Sequence, residues 1–208
     1  VDDAPLVANA ISDVAVNEDA ADTTIDLTDV FSDEDYEDAT ITMDLFFSEY
    51  AEGSSNNKYM EIYNPTNAAI SLDTYAFPNV TNTADVAGEY ETWNSFPGEA
   101  TIASKGTYII AHSSADAQIL ALADHTLSSG MSNGNDGFKL VKGGTFNDDG
   151  DGNVEAGEMT GFTVLDVIGD WQGNSSDSWA VAGVSEATKD HTLVKKSSIL
   201  VGNADWTT

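Results

Sequence analysis

Apolar and polar residues alternate over short stretches of this chain, as they do in strands that bury one face. Ile25 and Leu27 follow this alternation, and so do Met60 and Ile62 in the segment KYMEIYN. Turn-forming segments such as EGSSNN, NPTN and SNGNDG separate the apolar stretches. Regularly interrupted short strands predict an all-β sandwich. The remaining short apolar runs lie at residues 108–111, 138–141, 164–168 and 193–194.

One segment has helical periodicity instead. In SSADAQILALAD, from Ser113 to Asp124, a serine can cap the start, while Ile119, Leu122 and Ala123 share a helical face. The pattern predicts a single short helix, which we expect to close one end of the sandwich.

The chain is very acidic. Its 208 residues include 36 Asp or Glu against seven Lys or Arg, all of them lysines, and the formal net charge is −29. Such a field repels nucleic acid and anionic lipid and attracts divalent cations. It also suits a protein kept soluble in salty water, and the two interpretations are compatible. We therefore expect no nucleic-acid partner.

Cysteine is absent, so disulfides cannot staple the fold and thiol chemistry is excluded. No apolar run approaches the roughly 20 residues that would cross a bilayer, so no membrane insertion is expected. The chain begins with Val1, which we interpret as the start of a processed product or of a piece of a longer secreted protein. In such a protein a bound metal can take over part of the stapling role.

The segment NDDGDGNVEAGE, residues 147 to 158, has the spacing of a calcium-binding loop. Oxygen-bearing side chains occupy loop positions 1, 3 and 5, and Gly152 occupies position 6, where the chain must bend sharply. An acid closes the loop at position 12. Calcium takes six to eight oxygen ligands, at about 2.3–2.6 Å. The predicted ligands are Asn147, Asp149, Asp151, the backbone carbonyl of Asn153, Glu155 and Glu158.

Two features qualify this calcium loop. Position 1 is Asn147 where the pattern calls for aspartate, which predicts modest affinity, and a solvated acidic turn is the alternative. The flanking segments FKLV and TVLDVI have the pattern of strands. We therefore expect a metal-stapled hairpin loop and not a helix–loop–helix calcium switch.

Much of the chain resembles a known family. The segments LFFSEYAEGSSNNKYMEIYNPTNAAISLDTY, GTYIIAHSSADAQILALAD, SNGNDGFKLVK, VLDVIGDW and DHTLVKKSSILVGNADW occur in order between Leu45 and Trp206. Together they are similar to a bacterial lamin-tail domain, which implies an immunoglobulin-like sandwich. The calcium loop is an insertion that this family pattern does not require. Lys195 stands where the family usually has an arginine before its last strand.

The first 43 residues resemble a different family. The segment VANAISDVAVNEDAADTTIDLTDVFSDEDYEDATITM is similar to the start of cadherin-like repeats of bacterial surface proteins. The resemblance implies inter-repeat calcium sites near Glu18, Asp19 and Asp33 to Asp35. The repeat stops after two or three strands, where a sandwich needs about 100 residues. We therefore divide the chain into a partial repeat, 1–43, and a sandwich, 44–208.

This arm has strand-forming faces at Val14/Val16 and Ile25/Leu27 but too little chain to enclose them. It must pair with its own sandwich, with a preceding repeat, or with a neighbouring molecule by strand addition. The cadherin-like ancestry favours docking within the chain, while the truncated repeat keeps assembly into a filament open.

No catalytic constellation is evident. His112, His125 and His191 are scattered, and no GxSxG motif occurs. Acid pairs such as Glu49/Glu52 and Glu89/Glu91 arise by chance in so acidic a chain. The aromatic cluster of Tyr90, Trp93 and Phe96 could stack on a sugar or a partner, but we favour a plug at one end of the sandwich.

The sequence thus predicts a non-catalytic, calcium-stabilised structural or adhesive module, secreted or on a bacterial cell surface. Its arm could make it an assembling subunit of an extracellular fibre. The alternative is an accessory targeting or spacer module of a secreted nuclease or other hydrolase, because lamin-tail modules accompany such enzymes.

Overall fold

A computed structural model describes residues 6–7, 9–11, 24–25, 30–32, 42–152, 154–172 and 178–206. The chain divides into two compact units, Val1–Ile41 and Thr42–Thr208. Within the described residues, no helix is long and apolar enough to cross a membrane.

In the described residues of the first unit, the short strands β1 (Leu6–Val7) and β2 (Phe31–Ser32) pair in antiparallel fashion. The backbone N–H of Asn9 donates to the carbonyl of Val30 at 3.2 Å and extends this pairing. Ile25 lies in no strand, and 49% of it is exposed. The predictions for Val14, Val16, Glu18, Asp19, Leu27 and Asp33 to Asp35 lie outside the described residues.

Nearly all of the regular secondary structure in the described part of the second unit is β-strand. The predicted apolar runs from Met60 to Val194 each fall within one strand, which confirms this part of the prediction. The strands are β3 (Phe46–Glu52), β4 (Lys58–Tyr63), β5 (Ile70–Ser71), β6 (Tyr75–Ala76), β7 (Asn79–Val80), β8 (Thr101–Ile102), β9 (Thr107–His112), β10 (His125–Leu127), β11 (Gly137–Phe146), β12 (Met159–Ile168) and β13 (Thr192–Val194).

These strands form two main sheets. The first has the order β10-β9-β4-β3-β13, antiparallel except for the β10–β9 pair. The second has the order β12-β11-β6, and β7 pairs with β11 a few residues further along. Pro78 lies between β6 and β7 and has no N–H to donate, which fits the break in this edge. Strands β5 and β8 form a small separate pair.

The core lies between the two main sheets. Met60, Ile62 and Ile110 from the first sheet pack in one cluster with Phe138 and Leu140 from the second, and all five are fully buried. In β4 buried and half-buried residues alternate along the strand, as the sequence pattern predicted. Two sheets packed over one apolar core confirm the predicted β-sandwich.

The predicted helix is confirmed in place but is much shorter than Ser113 to Asp124. Helix α1 covers only Ala117–Leu120 and buries none of its residues. The cause is the pairing of the next strand. Because β10 runs parallel to β9, with His125 opposite Ile110, the connecting segment must lead back to the beginning of β9 within a few residues. A 12-residue helix would run about 18 Å. Instead, the N–H of Asp124 already donates to the carbonyl of Ile109 at 2.9 Å.

Candidate metal centre

The acidic segment 147–158 is the loop that joins β11 to β12. These strands pair from Phe138↔Ile168 to Phe146↔Met159. Asn147 closes the base of the loop, because its backbone N–H donates to the Glu158 carbonyl at 2.9 Å. Its side-chain Nδ2 donates to Thr160 Oγ1 at 2.8 Å and to the Glu158 carbonyl at 3.1 Å. The two ends of the loop are therefore held together by one residue.

Three carboxylates converge inside this loop. Oxygens of Asp148, Asp149 and Glu158 all lie within 4.8 Å of one another. Glu158 is oriented by two backbone donors, the N–H of Asp149 at 3.2 Å to Oε1 and the N–H of Glu155 at 2.7 Å to Oε2. We call Asp148, Asp149 and Glu158 the acidic centre.

Asp148 is held in its ionised form by the turn that follows it. Its Oδ1 accepts the backbone N–H of Gly152 at 3.0 Å and that of Gly150 at 2.8 Å. These bonds lower the pKa of Asp148, the one from Gly152 most. Both glycines have positive φ angles, 113° at Gly150 and 78° at Gly152, a conformation that costs glycine little. The glycines therefore shape the acidic centre by presenting two N–H groups to one oxygen.

The structure brings together only part of the ligand set predicted from sequence. Asp149 and Glu158 lie in the acidic centre, and Asp148, which the sequence-based set omits, lies there too. The N–H of Asp151 donates to Asp149 Oδ1 at 3.3 Å. Asn153 lies outside the described residues. Asn147 and Glu155, which the sequence also predicted as ligands, make hydrogen bonds to Glu158 in this structure. Asn147 closes the base of the loop, and the N–H of Glu155 orients the Glu158 carboxylate.

The chemistry of the acidic centre suits a hard cation. Three carboxylates offer six oxygens, all of the type that calcium and magnesium bind. Without a cation, three negative charges this close repel one another. Calcium tolerates irregular geometry in an exposed loop better than magnesium, which requires near-ideal octahedral coordination. The acidic centre therefore fits calcium better than the other common divalent cation.

A buried tyrosine ties this loop to the sandwich. The hydroxyl of Tyr90 donates to the Glu155 carbonyl at 2.8 Å and accepts the N–H of Met159 at 2.7 Å. Tyr90 is only 5% exposed, and its ring contacts those of Trp93 and Phe162 at centroid distances of 5.2 and 6.5 Å. The loop is thereby connected at its C-terminal end to an apolar cluster.

The three aromatic residues that the sequence predicted as a plug turn inward but divide between two apolar clusters, Tyr90 and Trp93 in one and Phe96 in the main core. Tyr90 and Phe96 are buried, and Trp93 is half-buried. Phe96 packs against Phe77 and Tyr108 of the main core at centroid distances of 4.8 and 5.4 Å.

A buried carboxylate outside the acidic centre joins distant parts of the sandwich. Asp166 in β12 accepts the backbone N–H groups of Phe47 at 2.8 Å and Asn203 at 2.9 Å. Burial raises the pKa of Asp166, and the ion pair with Lys195 opposes that rise. Lys195 thus compensates the charge of a carboxylate that is 1% exposed.

Several other titratable residues singled out from sequence have structural partners. Glu49 accepts the hydroxyl of Tyr59 at 3.0 Å, and Glu91 accepts the backbone N–H of Thr81 at 2.8 Å. His112 Nδ1 accepts the N–H of Ser114 at 3.1 Å, and the ring of His125 lies 6.0 Å from that of Phe77. Among the described residues, none of the three histidines belongs to a group that could hold a metal.

Comparison with known proteins agrees with this architecture. The family model of the lamin tail domain matches residues 39–154, more than half of the chain. The chain belongs to the lamin tail domain family, whose members are structural immunoglobulin-like domains and not catalytic ones. The matched region ends inside the acidic loop, and β12 and β13 complete the sandwich beyond it. No curated protein and no solved structure matches the chain.

Proposed function

We propose that this chain is a non-catalytic, calcium-stabilised structural or adhesive module that acts outside the cell, as part of a secreted or surface protein. Membership of a structural domain family supports the absence of catalysis. The formal charge of −29 and the lack of cysteine suit a protein that uses a divalent cation, and not disulfides, as a staple. Bacterial origin and the cadherin-like character of residues 1–43 are part of this proposal.

The observation that carries the calcium role is the convergence of Asp148, Asp149 and Glu158. A calcium ion would neutralise their mutual repulsion and hold together the two ends of the β11–β12 loop. Because Tyr90 connects that loop to buried aromatic rings, ordering the loop also stabilises the packing beneath it. The metal would therefore stabilise the sandwich, and need not switch it between two conformations.

Thermal unfolding with calcium and with a chelator tests this role. A ligand at 100 times its dissociation constant stabilises a fold by about 2.7 kcal/mol. For a chain of this size the melting temperature should rise by about 5–10 °C in calcium. Identical melts in both conditions would contradict the proposal.

We further propose that the module associates with itself through its N-terminal strands and has no nucleic-acid partner. Nucleic-acid affinity depends on cationic side chains that release condensed counterions, and seven lysines are few against 36 acids. A labelled DNA duplex should remain unbound by micromolar protein at physiological salt without divalent ions. Measurable binding under those conditions would refute the charge argument.

A further inference from the structure

A polar concavity of about 580 Å³ lies at one end of the sandwich, and none of its lining residues belongs to the acidic loop. Its wall comes from five separate segments: the β3–β4 turn, Thr81 after β7, His112 at the end of β9, residues 128–133 after β10, and residues 189–190 before β13. Loops that meet at the end of a rigid sandwich are a common location for binding sites. We call this concavity the loop-end cavity.

A buried ion pair forms part of the cavity wall. Lys58 and Glu52 are 7% and 4% exposed, and they pair with each other. Glu52 Oε2 also accepts the backbone N–H of Asp190 at 2.6 Å. The Lys58 ammonium donates to the Gly53 carbonyl at a long 3.4 Å, and its third proton has no acceptor among the described residues. A buried ammonium that lines a cavity with a proton to spare favours an oxygen-bearing ligand.

Further donors line the cavity without protein partners. Within the described part of the chain, no hydrogen bond is made by the side chains of Ser55, Thr81, Ser128, Ser129, Asn133 and Lys189. His112 Nδ1 accepts the N–H of Ser114, so a neutral His112 ring carries its proton on Nε2. Ser55, Asn133 and Asp190 all have φ angles near +57°, a strained backbone for serine in particular.

The charge of the lining restricts the class of ligand. Lys58 and Lys189 balance Glu52 and Asp190, so the cavity is formally neutral on a surface that is otherwise strongly negative. Two ammonium groups disfavour a metal ion, and the overall charge of −29 disfavours an anion. Met131 is the one large apolar side chain in the described lining, which excludes a mainly apolar ligand. A ligand with uncharged hydroxyl groups fits this polar and formally neutral lining, because each hydroxyl can both donate and accept a hydrogen bond.

We propose that the loop-end cavity binds an uncharged, polyhydroxylated ligand, namely the terminal sugar of a neutral glycan. This assigns a ligand class to the adhesive role proposed above and rests on that role. The sugar site does not depend on the acidic centre. If calcium raises the melting temperature but no sugar binds, the sugar-binding proposal is wrong and the calcium proposal stands.

The test uses the intact chain and a panel of neutral methyl glycosides of galactose, glucose, mannose and N-acetylglucosamine. Saturation-transfer NMR with up to about 20 mM sugar detects millimolar dissociation constants. At least one glycoside should bind, and inorganic phosphate should not displace it. Absence of binding across the panel would overturn the proposal, and so would displacement by phosphate, which would indicate an anion site.

Two variants locate the site. Ser129→Trp fills the cavity from an exposed position and should weaken binding at least about tenfold, whereas Ser185→Trp, an equally exposed serine outside the lining, should leave binding unchanged. Lys189→Gln removes a charge with little change in volume and should weaken binding several-fold. Unchanged circular dichroism and melting temperature confirm that each variant is folded. Binding that is equally strong in Ser129→Trp and Lys189→Gln would place any sugar elsewhere and refute the assignment.

Discussion

Asp148 decides which atoms the acidic loop offers to a cation. The spacing of a calcium loop selects alternate positions and passes over position 2, yet in the structure the position-2 carboxylate joins the acidic centre. The reason lies in the backbone. Gly150 and Gly152 turn their N–H groups toward Asp148, and this fixes its carboxylate beside Asp149 and Glu158. The residue types in the loop could be read from sequence, but the direction of each side chain could not.

Asp148→Asn separates the two ligand sets. The substitution removes the charge but keeps an oxygen that can accept from Gly150 and Gly152. If the acidic centre binds calcium, it should weaken affinity at least about tenfold, roughly 1.4 kcal/mol, in a calorimetric titration. Asp151→Asn serves as the matched control, because it tests a ligand predicted from sequence that lies outside the acidic centre. If calcium affinity fell only in Asp151→Asn, the ligand set predicted from sequence would be favoured and the acidic centre would be contradicted as the calcium site.

At the scale of single elements, several strands and the position of the helix followed from the sequence, but the length of the helix did not. Met60 and Ile62 alternate with half-buried residues in β4, so a local pattern was sufficient. The length of α1 depends instead on how β10 pairs with β9, a contact that no local pattern records. The same limit applies to the loop-end cavity, because five segments distant in sequence form its wall. Periodicity predicts elements, whereas sites formed by loops depend on their packing.

Tyr90→Phe tests whether the β11–β12 hairpin and the apolar cluster around Tyr90 act as one unit. The change deletes a hydroxyl that bonds to both Glu155 and Met159, and it leaves the buried ring in place. We expect a loss of about 1–3 kcal/mol in the free energy of unfolding, because two backbone groups lose their partner. Calcium affinity should also fall, since the loop is no longer held at Glu155.

Tyr59→Phe is the matched control for this experiment. It removes a hydroxyl that bonds only to the side chain of Glu49, away from the hairpin. Calcium titration and urea unfolding of both variants provide the comparison. If Tyr59→Phe lowered calcium affinity as much as Tyr90→Phe, the effect would not come from the hydrogen bonds of Tyr90 to Glu155 and Met159.

At the scale of the whole molecule, the chain combines a sandwich, residues 42–208, with a smaller unit, residues 1–41. Strands β1 and β2 pair with each other in the described part of that unit, and each contributes two residues. A two-stranded piece is at best marginally stable in water. Among the described strands of the sandwich, β12 and β13 each lie at the edge of a sheet, and an edge strand is a position where a further strand can be added. Short paired strands and the edge strands of a sandwich are the elements that strand addition uses, and they support the proposed self-association.

Deletion of residues 1–41 tests whether this arm assembles the protein. A contact between the arm of one molecule and the sandwich of the next is head-to-tail, and a head-to-tail contact that does not close produces a filament. Light scattering in calcium should therefore show multimers of the intact chain whose mass grows with concentration, and a monomer after the deletion. Repeating the measurement on intact Asp148→Asn separates any effect of the acidic centre from that of the arm. An intact chain that stays monomeric at high concentration, with a deletion that only lowers its melting temperature, would make the arm an internal brace and refute assembly.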